Sequence, residues 1–493
     1  MEEEKVRVKL TKVPLESERE EIKKNRLKIV LLTLVCVFFL VLGAVGGFAF
    51  SSYLKGTSVA AFKNEKFDKI LSYFKSVWLY GNDYENLEET MQDKAFYGMS
   101  NFNEDPYTTY MSSDDIKSFA SSINMNYVGI GAQYSYSNGI GTITRVFKES
   151  PAEKGGLMPG DILYLIDGKS IEGLDSDQIK ERIVGEEGTP VKITVLRDEK
   201  EIELTFIRGA IEYTAYLEKY DDYIYLDIMS FGQSTADECI KYLDECLDYS
   251  KLIINLRDNS GGYQDSVQEV AGLFLGEDKV VLNETDNTGK TKSFKTIVKK
   301  YYDNFKDIVV LINENTASAA EVLAITLKEM HPNVTLVGTT TYGKGVVQTS
   351  YYLEDGSAVK ITSSYWTSPN GKSINKEGVS PDVEVRQDPI MYQVAYTMEE
   401  GQTFTFDSVS SQVQVVEMAL EFLGYKVNRT DGYFDSSLEQ SLIAYKIDHN
   451  YDNTDAILDS SLYNAILSDV IREYNLNNLK DKQLQRAIEL IRE

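Results

Sequence analysis

Between residues 213 and 385 the chain alternates short apolar runs with segments of helical periodicity, and this alternation restricts the fold more than any other feature. The runs at 223–228, 252–256, 308–312 and 335–337 read as buried strands, and 235–247, 266–274 and 318–330 between them read as helices. Strands separated by helices pair most readily in parallel, with helices covering the sheet, so this region is predicted to be an α/β core.

The flanking regions follow different patterns. Residues 127–207 read as short strands around one glycine-punctuated stretch, Ser150-Pro151-Ala152-Glu153-Lys154-Gly155-Gly156-Leu157-Met158-Pro159-Gly160-Asp161, which fits a compact β-rich module. Beyond residue 411 the pattern is helical: Val415, Val416, Ala419, Leu420 and Leu423 make one apolar face, and Gly424 supplies the stop. Leu438, Leu442 and Tyr445, then Leu462, Ile466 and Val470, mark two further helices of a small all-α module. Upstream, Ile70, Leu71, Phe74, Val77 and Trp78 have helical spacing and suggest a packing arm, from which a homodimer is expected. A chain of 493 residues has room for all of these units, at ~100–200 residues per domain.

Residues 29–50 carry no charge and follow Lys23, Lys24, Arg26 and Lys28. An apolar run of about 20 residues spans a bilayer, and a basic flank stays on the cytoplasmic side. The expectation is therefore a single N-terminal transmembrane helix, a cytoplasmic N-terminus and an extracytoplasmic catalytic region, with a cleaved signal peptide as the alternative. The net charge of −26 argues against a nucleic-acid partner, because phosphate recruits basic surfaces. Cys239 and Cys246 lie about 10 Å apart along a predicted helix, too far for a disulfide, and read as packing residues.

The chemistry concentrates at Asn313-Glu314-Asn315-Thr316-Ala317-Ser318-Ala319-Ala320-Glu321, between a strand and a helix. A serine at a helix start sits beside unpaired amides, Ala319's among them, that can stabilise an oxyanion. Alone, Ser318 would read as an ordinary N-cap. The chain has two histidines: His449 lies in the helical module, and His331 lies about 18 Å from Ser318, at the far end of the helix that the serine begins. A Ser-His-Asp triad is thereby disfavoured, and Lys344, within Gly343-Lys344-Gly345, becomes the candidate base. Such a lysine must be neutral, its pKa falling from ~10.4 toward ~7–8, and burial can achieve this. Gln348 could hold the amine through its amide oxygen without adding a charge that would raise the pKa again. In Leu256-Arg257-Asp258-Asn259-Ser260-Gly261-Gly262 the glycines at a strand end could expose a second oxyanion donor, or simply make a turn.

In this order, with Tyr97-Gly98-Met99, Asp105-Pro106-Tyr107, Asp167-Gly168 and Ser368-Pro369-Asn370-Gly371, these motifs resemble the C-terminal processing peptidases, or tail-specific proteases, over residues 87–385. The resemblance implies a Ser318–Lys344 dyad completed by Gln348, an oxyanion hole using Gly261 or Gly262 with Ala319, and a crotonase/Clp-like α/β serine protease core. It also implies a PDZ module at 113–208, barrel- or sandwich-like, whose Gly129-Ile130-Gly131 amides bind a substrate's C-terminal carboxylate. Two positions depart from the family pattern: Val184, beside Arg182, stands where an arginine is usual, and Ser260 replaces a proline. The C-terminal helices, with Leu423-Gly424-Tyr425 and Asp431-Gly432-Tyr433-Phe434, resemble a peptidoglycan-binding module.

The expected architecture is a multidomain α/β protein. A cytoplasmic tail (1–28) leads to a transmembrane helix (29–50) and a helical arm (51–112). The PDZ module (113–208), protease core (209–398) and linker (399–411) follow, and a peptidoglycan-binding-like module (412–475) and helical tail (476–493) complete the chain. The expected function is a membrane-anchored serine endopeptidase acting near the C-termini of protein or peptide substrates, without metal or organic cofactor, since Cys and His are not clustered. The rivals are an inactive PDZ and cell-wall scaffold and an acyl-transfer enzyme on a related core.

Overall fold

The computed structural model describes residues 65–137, 139–198, 200–211, 213–393, 398–399 and 401–493. The described residues divide between Gln92 and Asp93 into two compact units. In the first, helix α1 (Glu65–Val77) is followed by the start of α2 (Leu87–Ser100); Lys75 pairs with Glu88, and Trp78 stacks on Tyr84 at 5.4 Å between centroids.

The second unit continues through β1 (Thr109–Met111) and α3 (Ser113–Ile123) into a β module. This module comprises β2 (Tyr127–Gly129), β3 (Ala132–Ser137), β4 (Ile140–Val146), α4 (Pro151–Lys154), β5 (Ile162–Ile166), β6 (Lys169–Ser170), α5 (Ser176–Ile183), β7 (Pro190–Arg197), β8 (Lys200–Ile207) and β9 (Gly209–Ile211). The sheet order is β3-β4-β5-β7-β8, with β6 on β5, so β3 lies at an edge. Val191, Ile193 and Val195, spaced by two, pack against Ile166, Ile179 and Phe206. Strands β2 and β9 pair antiparallel where the chain enters and leaves the module.

The core follows as β10 (Ala215–Lys219), β11 (Ile224–Ile228), α6 (Thr235–Leu243), β12 (Lys251–Asn255), α7 (Gln264–Leu275), β13 (Val280–Asp286), β14 (Thr291–Lys295), β15 (Asp307–Ile312), α8 (Ala319–Met330), β16 (Val334–Gly338), β17 (Val346–Tyr352), β18 (Ala358–Thr367) and β19 (Val383–Glu384). Its main sheet runs β10-β11-β12-β15-β16-β19, parallel except for β10 against β11. Period-two alternation divides the side chains between two cores: Leu252, Ile254, Ile308, Val310 and Leu336 pack with the helices, whereas Ile253, Val309, Leu311 and Val337 face the other way. A second sheet, β1-β18-β13-β14 with β17 on β18, brings residues 109–111 into the core.

The remaining elements are β20 (Thr403–Phe404), α9 (Ser411–Leu423), α10 (Ser436–Asp448), β21 (Leu458–Asp459), α11 (Ser460–Leu476) and α12 (Lys482–Arg492). Within the segment expected to be a polar linker, β20 pairs with β21. Helices α9 to α11 share one apolar core around Val416, Leu420, Leu442 and Ile466. Helix α11 is committed to an intramolecular contact: a Cβ on Gly160 of the β module would lie 2.3 Å from the Ser468 carbonyl oxygen, and Arg472 Nη1 donates to Asp198 at 2.9 Å. Helix α12 covers the second face of the main sheet through Leu484, Ala487 and Ile491. Cys239 and Cys246 are buried free thiols.

The membrane-anchored architecture is corrected. No helix among the described residues is long and apolar enough to cross a membrane. A span needs about 20 predominantly apolar residues, whereas the 17-residue α11 carries Asp469, Arg472 and Glu473. Residues 29–50, where the transmembrane helix was expected, lie outside the described residues. The single-pass localisation, with its cytoplasmic N-terminus, is carried no further.

Candidate active site

The site is assembled from loops at the ends of β12, β15 and β16. After β15, Thr316 Oγ1 donates to the Leu256 carbonyl at 2.8 Å and the Ala317 amide donates to the Asn259 carbonyl at 2.9 Å. Asp258 Oδ1 accepts from the side-chain amides of Asn313 and Asn315, both at 2.9 Å. The loops after β12 and β15 are thus tied together before the chain reaches Ser318.

Ser318 is the N-cap of α8 and has φ 55° and ψ −120°, a region that a non-glycine residue occupies only when its surroundings impose it. Gly261 backs onto it: a Cβ there would lie 2.8 Å from Ser318 Cβ and 3.0 Å from the Ala319 nitrogen. The Gly261 amide donates to Asn259 Oδ1 at 2.8 Å, so among the candidate donors the amides of Gly262 and Ala319 fit an oxyanion better than that of Gly261. Gly262 also has to be glycine, since a Cβ would meet the Phe231 carbonyl oxygen at 2.3 Å.

Glu321, one turn into α8, is fully buried and connects the serine to the lysine loop. Its Oε2 accepts from the amides of Ser318 at 2.8 Å and Lys344 at 2.9 Å. Its Oε1 accepts from the Gly343 amide at 2.7 Å and from Thr341 Oγ1 at 2.5 Å. Trp366, buried, donates from Nε1 to the Lys344 carbonyl at 2.9 Å. Gly343 (φ 87°) and Gly345 are required by crowding, with virtual Cβ atoms 2.9 Å from the Gly378 nitrogen and 2.5 Å from Asn375 Cβ.

Ser318, Ala319, Gly261, Gly262, Lys344 and Gln348 line one cavity of about 460 Å³. Burial, reinforced by the positive charge of Lys360, holds the Lys344 pKa below its ordinary value, and the Glu321 carboxylate opposes the shift. Lys344 Nζ sits 4.7 Å from the centroid of the Tyr107 ring. Burial and a hydrogen bond to Tyr342 push the Tyr107 phenol up to about 12, so it remains uncharged beneath the amine. Gln348 donates to Thr362 Oγ1 at 3.4 Å, and Thr362 Oγ1 donates to Asp105 Oδ1 at 2.9 Å. Gln348 therefore connects in this structure to the Asp105 loop, and its described hydrogen bond is not to the lysine.

Sequence reasoning assigned no role to Glu321, Tyr107, Trp366 or Lys360. Glu321 alone had a local signal, the Ser-x-x-Glu spacing of a capping box. Tyr107 arrives from a loop remote in sequence.

Gly129 ends β2, and Ile130 and Gly131 lead from it into the edge strand β3. The Ile130 and Gly131 carbonyls accept from the amides of Ala152 at 2.7 Å and Phe147 at 3.0 Å. A Cβ on Gly131 would lie 2.4 Å from Ser150 Cβ. Val184 approaches within 3.9 Å of the virtual Cβ of Gly129. Arg182 donates to the Ser170 carbonyl at 2.9 Å, whereas the buried Arg208 donates to the carbonyls of Ile183 at 2.7 Å and Pro190 at 2.8 Å.

Residues 222–385 match Peptidase family S41, and residues 142–197 match the PDZ domain. The carboxy-terminal processing protease CtpA of Bacillus subtilis (strain 168) is 31% identical over 479 residues, covering 95% of this chain and 99% of the relative. CtpB of the same organism is 31% identical over 440 residues, covering 86% and 89%. A probable CtpA-like serine protease of Staphylococcus haemolyticus (strain JCSC1435) is 31% identical over 375 residues, covering 75% of each. Among solved structures, the photosystem II D1 C-terminal processing protease is 22% identical, covers 65% of this chain and 92% of its own, and has a TM-score of 0.41. At this identity over nearly the full length of CtpA, the chain belongs to the carboxy-terminal processing proteases, serine peptidases of family S41.

Proposed function

We propose that the chain cleaves peptide bonds near the C-termini of protein substrates through an acyl-enzyme on Ser318, with Lys344 as general base. The observation that carries the reading is that Ser318, held at positive φ, opens onto the same cavity as an amine whose burial favours its neutral form. Neutral Lys344 accepts the Ser318 hydroxyl proton as Oγ attacks the substrate carbonyl, and the amides of Gly262 and Ala319 take the developing oxyanion. The lysine returns its proton to the leaving amine, and water then releases the acyl group. For proton transfer the amine has to turn from the Tyr107 ring toward Ser318, with Gln348 free to accept from it in that position.

The PDZ module supplies the tail recognition in this reading. Edge strand β3 offers unpaired backbone to an incoming C-terminal strand, and the Gly129-Ile130-Gly131 turn lies at its start, where the terminal carboxylate would sit. The test is cleavage of one unstructured polypeptide with a free or an amidated C-terminus by the full chain. Cleavage that prefers the free terminus and is lost in Ser318→Ala and Lys344→Arg is expected. Equal cleavage by all three proteins would end the reading.

A further inference from the structure

The charge of the catalytic cavity is opposite to that of the protein. The chain carries a net −26, yet among the described residues the cavity is lined by no aspartate or glutamate, and its only charged side chains are Lys344 and Lys360. Lys344 acts as a base only when neutral, which leaves Lys360 as the cation of the cleft.

Lys360 stands on β18, opposite Ser350 of β17, the strand that follows the Lys344 loop. It is half-buried, and Nζ rests 4.6 Å from the centroid of Phe119 of α3. Among the described residues no carboxylate lies within ion-pair distance of it, and burial alone depresses its pKa, with no neighbouring anion opposing the shift. The more deeply buried Lys446, with a side chain only 7% exposed, has such a partner, Asp455 at 2.8 Å. A ring face compensates a partly desolvated ammonium only in part, so Lys360 retains unused capacity for an anion.

We propose that Lys360 is a specificity residue that binds a carboxylate of the substrate within the catalytic cleft, supplied by an acidic side chain close to the scissile bond or by the α-carboxylate of a short tail. The proposal rests on the reading of Ser318 and Lys344 as the peptidase pair. Exchange of the partly solvated ammonium's water for a carboxylate gives a charge-assisted contact that an uncharged isostere cannot reproduce. It differs from the PDZ turn in place and in means, using a side-chain cation instead of backbone amides.

The test uses the full chain and peptides matched except for Glu or Gln at successive positions on either side of the cleaved bond, each with a free or an amidated terminus. At one position, or at the terminus, the carboxylate form is expected to have a kcat/KM at least about tenfold higher, as for a hydrogen bond to a charged group. This preference should weaken with added salt, vanish in Lys360→Met and turn toward Lys-bearing peptides in Lys360→Glu. A position effect identifies a side chain as the source, and a terminus effect the α-carboxylate. If the Lys360 variants fail to fold, the affinity of the Ser318→Ala protein for the Glu and Gln peptides is read instead, with the same tenfold difference expected. Absence of cleavage of every peptide by wild type would sink the peptidase reading. Cleavage without any carboxylate preference, a preference that survives in Lys360→Met, or equal affinities in Ser318→Ala would overturn the Lys360 proposal alone.

Discussion

Two helices of this chain begin with the same sequence grammar and are built to opposite ends. At the PDZ helix α5, Asp175 has an ordinary extended conformation (φ −87°, ψ 173°), accepts from the Gln178 amide at 2.9 Å and donates its own amide to Gln178 Oε1 at 3.0 Å. The cap is reciprocal and local. At the protease helix α8, Ser318 has φ 55°, and the Glu321 carboxylate that receives its amide also accepts from Thr341, Gly343 and Lys344. One cap ends a helix. The other joins the turn of the proposed nucleophile to the loop of the proposed base, and its backbone strain lies at the serine.

The sharpest way to break this contrast is to disturb the strained turn without touching a reacting group. Gly261→Ala places a methyl carbon 2.8 Å from Ser318 Cβ at a φ of 109°, which alanine resists. A loss of roughly a hundredfold or more in kcat is expected from misplacement of the serine, with a circular dichroism spectrum like that of wild type. Wild-type turnover in this variant would show that the turn tolerates displacement.

A smaller effect is expected from Glu321→Gln, which keeps the volume but offers one acceptor oxygen to four donors. Leaving buried donors unmatched costs about 1–3 kcal/mol, or about 10–100-fold in kcat if the cost falls on loop placement. The variant has a second signature. Glu321 raises the Lys344 pKa, so its neutralisation lowers that pKa further and moves the acid limb of kcat/KM to lower pH. A drop in kcat with an unmoved limb would leave Glu321 as a structural residue without electrical contact with the base.

The smallest effect belongs to the relaxed cap. Asp175→Ala should cost about 1 kcal/mol of stability, visible as a lower melting temperature, while kcat on a short peptide that does not need tail capture stays unchanged. A loss of turnover there would mean that the PDZ helix acts on the chemistry directly.

The same contrast indicates what is legible in the sequence. The α/β core is readable because strands 252–256 and 308–312 are buried on both faces and appear as unbroken apolar runs. The place of Ser318 at a helix start is readable from its position between strand and helix, and the tight turn at Lys344 from its flanking glycines. The left-handed conformation of Ser318 is not, because it depends on contacts with Gly261 and Asn259 from another loop. Tyr107 belongs to the Asp105-Pro106-Tyr107 motif, but its place at Lys344, like that of Lys360 in the cavity, emerges only when the second sheet brings their segments beside the lysine loop. Helix α12 reads as an appendage, since its apolar face is short and the surface it covers is the far side of a sheet formed more than a hundred residues earlier.

That Lys344, depressed in pKa by burial, deprotonates Ser318 is the step on which the proposed mechanism depends. It is tested most directly by the rate at which a serine-directed phosphonate labels Ser318 as a function of pH. A lowered pKa gives neutral amine at lower pH, so labelling should rise through a midpoint below 10.5, and Lys344→Met should label far more slowly, with that rise abolished. Identical labelling curves for the two proteins would contradict the claim.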